Sequence, residues 1–325
     1  MEKLRPRLLK SQAADALRSA AYNPHKLAVI HASAGAVLSL SLYAITFWLD
    51  HQIGQTGGLS GLGNRALLET VQMVLMYANM ILLPFWELGF LRAAMDLTRG
   101  QNATPHTLLA GFRRFGTLLL GKILLVLVLM GAMFAGSYVG VLVFSMTPLA
   151  ENLYTLMEPY ATTLTPDYAA MLADEALLDA MLPCLPFALI TMAVLALPVY
   201  YRLRMMDYVL LDDEKMGAFQ GFRFSMAITR RKCLRLLRLD LSFWWFYLLQ
   251  IFVSVVCYGD VLLPMLGVDL GISADVALFV FYAAALILQI GLFAWAKPQV
   301  MATYARFYDE LLPKEPEDTQ ETTEV

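Results

Sequence analysis

Long apolar runs are the feature that most constrains what this chain can fold into. A helix needs about 20 residues to cross a hydrocarbon core of roughly 30 Å, and within lipid only a helix pairs the polar groups of its own backbone. Runs of this kind lie at residues 27–49, 71–93, 118–144, 182–201, 241–263 and 276–296. The sequence therefore predicts an all-α, polytopic membrane protein with six transmembrane helices, built as a single integral membrane domain over residues 1–312.

The composition excludes an ordinary soluble domain. Of the 325 residues, 59% are hydrophobic and only 16% are charged, and the mean hydropathy is +0.59. Soluble domains are nearer about 45–50% apolar. The apolar excess agrees with six spans.

The basic residues are distributed unevenly between the loops. Arg65 is the only Lys or Arg in the loops after the first, third and fifth predicted spans, and the other 23 of the 24 lie on the opposite side or near span ends. The positive-inside rule makes that side cytoplasmic, so we expect both termini in the cytoplasm. On the outer side, residues 145–181 form an acidic loop. The tail at 313–325 is polar and acidic, and we expect it to be disordered.

Amphipathic segments precede the odd-numbered spans on the predicted cytoplasmic face. The longest is the inner amphipathic segment 212–240, where basic residues at i, i+4 and i+7 lie opposite leucines, which is typical of a helix at the membrane surface. The candidate contacts to anionic lipid are Arg231, Arg235 and Arg238, together with Arg113 and Arg114 before the third span. The pattern also predicts three repeated units, each a surface helix followed by a transmembrane hairpin.

One carboxylate lies well inside a predicted span. Glu87 is in the second span, and an intramembrane carboxylate is costly enough that it usually faces a bundle interior with a partner. Lys122 and Arg92 are the candidate cations, and His31 and Asn79 are the other candidate members of an intramembrane polar site. Either Glu87 binds a cation or relays a proton, or it locks the second and third spans together.

Catalysis has little support in the sequence. The four histidines are scattered among inside, membrane and outside, no nucleophile or zinc motif is present, and we expect no enzyme activity, no cofactor and no metal. Cys184 and Cys257 lie near the outer ends of their spans and are either bridged or small buried thiols. Nucleic acid is not an expected partner, because the positive-inside topology already accounts for the basic residues.

Short motifs occur in a characteristic order along the chain. They are Gly111-Phe112 with Phe115, Tyr208-Val-Leu-Leu-Asp212, Ser225-Met226, Leu239-Asp240-Leu241-Ser242-Phe243 and Phe307-Tyr308. In these motifs and their order the chain resembles, over nearly its whole length, a bacterial integral-membrane family known as domain of unknown function 975. The resemblance implies a multi-pass protein of the bacterial cytoplasmic membrane and supplies no catalytic residue.

Two functions remain open from the sequence. The first is an inner-leaflet scaffold or regulatory membrane component that contacts anionic lipid, with a protein partner or a second copy of the chain as a further possible contact. The alternative is a transporter of a small molecule or lipid with a polar site around Glu87, because a broken or polar span at mid-membrane depth is a common sign of such a site.

Overall fold

The computed structural model describes residues 5–55, 62–161, 171, 173–268, 271 and 273–313, and these residues form helices and no strand. The helices are α1 (Pro6–Arg18), α2 (Pro24–Gln55), α3 (Leu62–Thr98), α4 (Ala110–Arg113), α5 (Phe115–Ser145), α6 (Ala150–Ala161), α7 (Glu175–Met181), α8 (Cys184–Leu203), α9 (Met206–Asp212), α10 (Ala218–Ile228), α11 (Cys233–Leu241), α12 (Trp244–Cys257), α13 (Gly259–Met265) and α14 (Ala274–Leu311). A 3₁₀ helix at Pro105–Leu109 precedes α4.

Five helical segments among the described residues are long and apolar enough to cross a membrane. They are Pro24–Leu49, Arg65–Thr98, Phe115–Ser145, Glu175–Asp212 and Val276–Leu311. A sixth is obtained when the bent pair Cys233–Leu241 and Trp244–Cys257 counts as one span. The prediction of an all-α, multi-span protein is confirmed; the three repeated units remain a prediction.

The fifth predicted span differs most from its expected form. Residues 241–263 do not form one straight helix: α11 and α12 meet at an angle of 62°, and α13 is a separate short helix. At the joint, the Ser242 hydroxyl donates to the carbonyl of Leu239 at 2.6 Å. Such a local side-chain bond gives the backbone an alternative to helical pairing, and an apolar run does not reveal it.

The chain divides into two compact units. The first comprises Met1–Leu118, Asp207–Met216 and Leu234–Val325, and the second comprises Leu119–Met206 and Gly217–Cys233. In the first unit, α14 packs against α1, α2, α3 and α12. A cluster of fully buried side chains lies where α2 and α3 meet the segment before α4: Leu27, Ala28, Phe90, Ala93, Leu97, Ala103 and Leu108.

Two glycines allow the 3₁₀ helix and α4 to lie directly on α3. A Cβ built on Gly89 would be 1.7 Å from the carbonyl oxygen of Leu108, and one built on Gly111 would be 2.1 Å from that of Phe85. Any side chain at either position would therefore force the two segments apart. Gly111 belongs to a motif that carries the family resemblance, and this contact explains it physically.

In the second unit, α5 and α8 are in backbone contact through Gly136 and Gly140. A Cβ on either glycine would lie 2.5 Å from a Cα atom of α8, Met192 and Ala188 respectively. The Thr191 hydroxyl donates to the carbonyl of Gly136 at 2.7 Å. Small residues spaced four apart allow this approach.

The outer acidic loop contains α6 and α7. Asp174 caps α7 by accepting hydrogen bonds from the backbone N–H groups of Ala176 and Leu177. Residues 162–170 of this loop and the tail from 314 lie outside the described residues. Cys184, Cys233 and Cys257 are free thiols in this structure.

Candidate functional site

An ion pair between α3 and α14 forms the centre of the intramembrane site. Lys297 Nζ lies 2.5 Å from Glu87 Oε2, with the lysine side chain only 3% exposed and the glutamate side chain 45% exposed. The lysine also lies over the ring of Phe293, at 4.0 Å from its centroid, where the π face attracts a cation. A buried ammonium is thus held by one carboxylate and an aromatic face.

The cation that pairs with Glu87 was not among the residues selected from the sequence. Lys122, one of the two candidates, belongs to the second compact unit. Arg92, the other, pairs with Asp96 at 3.0 Å and donates to the carbonyl of Leu211 at 2.6 Å. Lys297 could have been selected from the sequence, because it directly follows the apolar run 276–296. A lysine in that position is a candidate partner for Glu87, which lies inside the run 71–93.

His31 is fully buried beside this pair. Its ring stacks on Trp86 at 5.2 Å between centroids, and the Trp86 indole N–H donates to the His31 carbonyl at 2.9 Å. His31 Nε2 lies 3.2 Å from the Trp86 carbonyl and 3.9 Å from Glu87 Oε1. Because a carbonyl only accepts, Nε2 carries the proton and Nδ1 is left as an acceptor. This buried Nδ1 has no hydrogen-bond partner within the described part of the chain.

A cavity of about 160 Å³ opens next to these groups. Its lining includes His31, Gly35, Trp86, Glu87, Gln289 and Phe293. The lining combines aromatic and aliphatic side chains with an imidazole, a carboxylate and an amide. Since Glu87 and Lys297 cancel in charge, the cavity suits a neutral or zwitterionic group that donates a hydrogen bond.

Asn79, the remaining candidate, is apart from this cavity. It lies eight residues before Glu87 on the same helix, which corresponds to about 12 Å along the axis. Its Oδ1 is buried and has no hydrogen-bond partner in the described ranges. The structure therefore brings Glu87 and His31 together and leaves Asn79 and Lys122 outside the cavity lining.

The arginines selected as lipid contacts have different environments. Arg114 donates to the carbonyls of Leu210, Asp213 and Met216 at 2.7–2.8 Å, and so caps the C-terminal end of α9. Arg113, its neighbour, is exposed. Arg114 therefore has a structural role that its basic character alone did not indicate.

The predicted basic stripe of the inner segment is shorter than expected. Arg231 lies in the turn before α11 with a φ of 62°, outside the helix, which begins at Cys233. Arg235 and Arg238 are on α11 itself. The helix buries Leu236 and Leu239 in the first unit, while Leu234 is 71% exposed. The leucines expected opposite the arginines are Leu234, Leu237 and Leu241, and none of these three is buried.

A second charged cluster was missed in the sequence. The guanidinium of Arg99 donates to both carboxylate oxygens of Asp212 and, at 2.7 Å, to Asp309. The Tyr308 hydroxyl donates to Asp212 at 3.2 Å. The hydrogen bond to Asp212 raises the pKa of Arg99. These contacts join the ends of α3, α9 and α14, and Asp212 and Tyr308 are both residues of the motifs quoted above.

Comparison with known proteins identifies the chain only at the level of a family. The family described as "Protein of unknown function (DUF975)" matches residues 27–315. No curated protein and no solved structure matches the chain.

Proposed function

This chain belongs to the DUF975 family, whose function is unknown, and from its intramembrane site we propose that it is a non-enzymatic transporter. In this proposal a small polar molecule, or the polar end of a lipid, binds in the cavity around Glu87 and is carried from there. The protein works in the bacterial cytoplasmic membrane with both termini in the cytoplasm. The positive-inside distribution of Lys and Arg supports that orientation.

The buried and unsatisfied His31 Nδ1 is the observation that carries the proposal. A buried acceptor without a partner lowers the stability of the fold by about 1–3 kcal/mol. The charges of Glu87 and Lys297, by contrast, neutralise each other. Gln289, which also lines the cavity, has no hydrogen bond to any described residue. A purely structural lock between α3 and α14 requires neither of these groups, so they are the polar groups that the proposal assigns to a ligand.

The exposure of Glu87 supports access to the cavity. Its side chain is 45% exposed while its partner is buried, and Glu87, unlike Lys297, is part of the cavity lining. The cavity of about 160 Å³ is close to the volume of roughly 150 Å³ that holds a benzene-sized molecule. A ligand with few heavy atoms, or one end of a lipid, therefore fits.

A second candidate function is the inner-leaflet scaffold. Arg113, Arg231 and Arg238 are exposed, and each basic residue near an anionic surface is worth about 1 kcal/mol of attraction. This function places the active surface on the cytoplasmic face rather than in the intramembrane cavity.

Native mass spectrometry of protein released from mild detergent tests the transport proposal. Gly35→Val fills the cavity, because a Cβ on Gly35 is 3.6 Å from Trp86 Nε1, an ordinary contact, and a larger side chain extends further. Gly291→Val on α14 is the matched control, since nothing lies within 4 Å of a Cβ there. We expect the wild type and the control to retain a small molecule or lipid that Gly35→Val loses.

A retained molecule then becomes the substrate for flux measurements in proteoliposomes, where Gly35→Val should abolish its passage. Equal retention in all three proteins, or no retained molecule in any of them, contradicts the transport proposal. Loss of lipid only when Arg231 and Arg238 are changed to Gln favours the scaffold.

A further inference from the structure

A second cavity, of about 260 Å³, lies in the first unit at the end of α3. Its lining includes Arg92, Asp96, His106, Arg113, Arg114 and Glu214. The positive-inside rule places this end of α3 at the cytoplasmic surface, which is the depth of lipid phosphates. Three guanidiniums face two carboxylates there, so the cavity has an excess of positive charge.

The guanidiniums keep donors available. Each has five N–H groups. Arg114 uses three on backbone carbonyls, and Arg92 uses one on the Leu211 carbonyl and turns its Nε toward Asp96. Arg113 makes no hydrogen bond or ion pair with any described residue. Two guanidiniums are thus held in place by the fold while still offering N–H groups to a ligand, and the third is free to close on it.

One acceptor in the same cavity is unsatisfied. Asp96 is 8% exposed; its buried Oδ1 pairs with Arg92 Nε at 3.0 Å, whereas its Oδ2 makes no hydrogen bond with any described residue. A carboxylate oxygen in this position accepts a proton donor from a ligand and repels a second anion. The cavity therefore distinguishes between an anion alone and an anion with a neighbouring hydroxyl.

We propose that this cavity binds a phosphate group that carries a neighbouring hydroxyl, such as the phosphoglycerol head group of a lipid or a soluble glycerol phosphate. The arginines bind the phosphate oxygens, for which the planar guanidinium is well suited, and Asp96 accepts the hydroxyl. This site is separate from the cavity around Glu87 and does not depend on the transport proposal.

Binding of three soluble probes by the full-length protein in mild detergent provides the first test. The probes are sn-glycerol 3-phosphate, methyl phosphate and inorganic phosphate, measured by calorimetric titration. Loss of one hydrogen bond to a charged group weakens binding by about tenfold or more. We therefore expect methyl phosphate, which lacks the hydroxyl, to bind about tenfold more weakly than glycerol phosphate.

A second experiment, with lipid, distinguishes a lipid head group from a soluble glycerol phosphate as the source of the bound phosphate. The protein is placed in nanodiscs of equal parts phosphatidylglycerol and phosphatidylcholine, released into the mass spectrometer, and examined for retained phosphatidylglycerol. Selective retention identifies a lipid head group as the ligand, and binding of glycerol phosphate without lipid retention identifies a soluble one.

Two variants connect the binding to the cavity. Arg113→Gln changes an exposed side chain of the lining and should weaken binding of the probe that the wild type takes up by about tenfold. Arg238→Gln is the matched control, an exposed arginine of the same unit outside this cavity. An equal loss in the control, or no binding of any soluble probe and no retained phosphatidylglycerol, overturns the proposal.

Discussion

Lys297 is the buried cation of the intramembrane site. Its ammonium is buried against Phe293 and Phe90 and its only counter-charge among the described residues is Glu87. Breaking a buried pair by removing one partner is strongly destabilising, because the other charge is left buried, whereas replacing both partners by neutral groups is often nearly neutral. The two partners differ here, since the glutamate is half-exposed.

We expect unequal effects from the two single substitutions. Glu87→Gln leaves a buried ammonium without a counter-charge and should lower the free energy of unfolding by about 3 kcal/mol. Lys297→Met leaves a half-exposed carboxylate and should cost clearly less. In the double variant, Lys297→Met should recover most of the loss caused by Glu87→Gln. Denaturant unfolding in one detergent measures all three proteins, and purely additive effects would show that the two side chains do not interact.

The contact of α4 and the preceding 3₁₀ helix with α3 depends on the absence of two side chains. At Gly111 the backbone of one segment meets the carbonyl of Phe85 in the other. A methyl group at Gly111 would contact only backbone atoms of α3, which cannot rotate away as a side chain can. The two backbones would therefore have to move apart. This contact also positions Arg113, the last residue of α4, and Arg114, which follows it.

We expect Gly111→Ala to destabilise the protein by about 3 kcal/mol, at the upper end of overpacking costs. Gly116→Ala is the matched control, because it is near the start of α5 and nothing lies within 4 Å of its Cβ. Since alanine favours a helix over glycine by about 0.5–1 kcal/mol, the control should be neutral or slightly stabilising. Measuring the melting temperatures of both variants tests this difference in stability. An equal change in both would mean that α4 readily moves away from α3.

For the whole molecule, the bent pair of α11 and α12 determines whether the number of membrane crossings is even or odd. With the pair crossing the membrane there are six spans and both termini lie on one side; without it there are five and the termini lie on opposite sides. Arg65 is the single basic residue in the predicted outer loops. It therefore marks the side of the membrane opposite the cytoplasm.

We expect Arg7→Cys and Pro313→Cys, each in a background with the three native cysteines replaced by serine, to react with a membrane-impermeant maleimide only from the cytoplasmic side. Arg65→Cys should react only from the opposite side. The reason is that cytoplasmic loops retain Lys and Arg and that six crossings return the chain to its starting side. Labelling of Arg7→Cys and Pro313→Cys from opposite faces would instead establish five crossings.

The class of fold, the approximate places of most spans and the family could be predicted from the order of residues alone. These properties are local in the chain, because the length of an apolar run is set by the thickness of the hydrocarbon core and by the rise of a helix per residue. The loop charges, which are equally local, were sufficient to predict an orientation. Glu87 and His31 were identifiable as well, since a polar residue inside such a run is visible without any knowledge of its neighbours.

Contacts between residues far apart in the chain depend on how the helices pack. Glu87 and Lys297 are 210 residues apart, and the rotation and packing of α3 against α14, not the sequence pattern, bring them together. The same is true of Arg114, whose guanidinium caps α9, and of Arg231, whose φ of 62° removes it from the expected stripe. Helical periodicity predicts which residues share a face, but the backbone contacts permitted at Gly89 and Gly111 determine where that face lies.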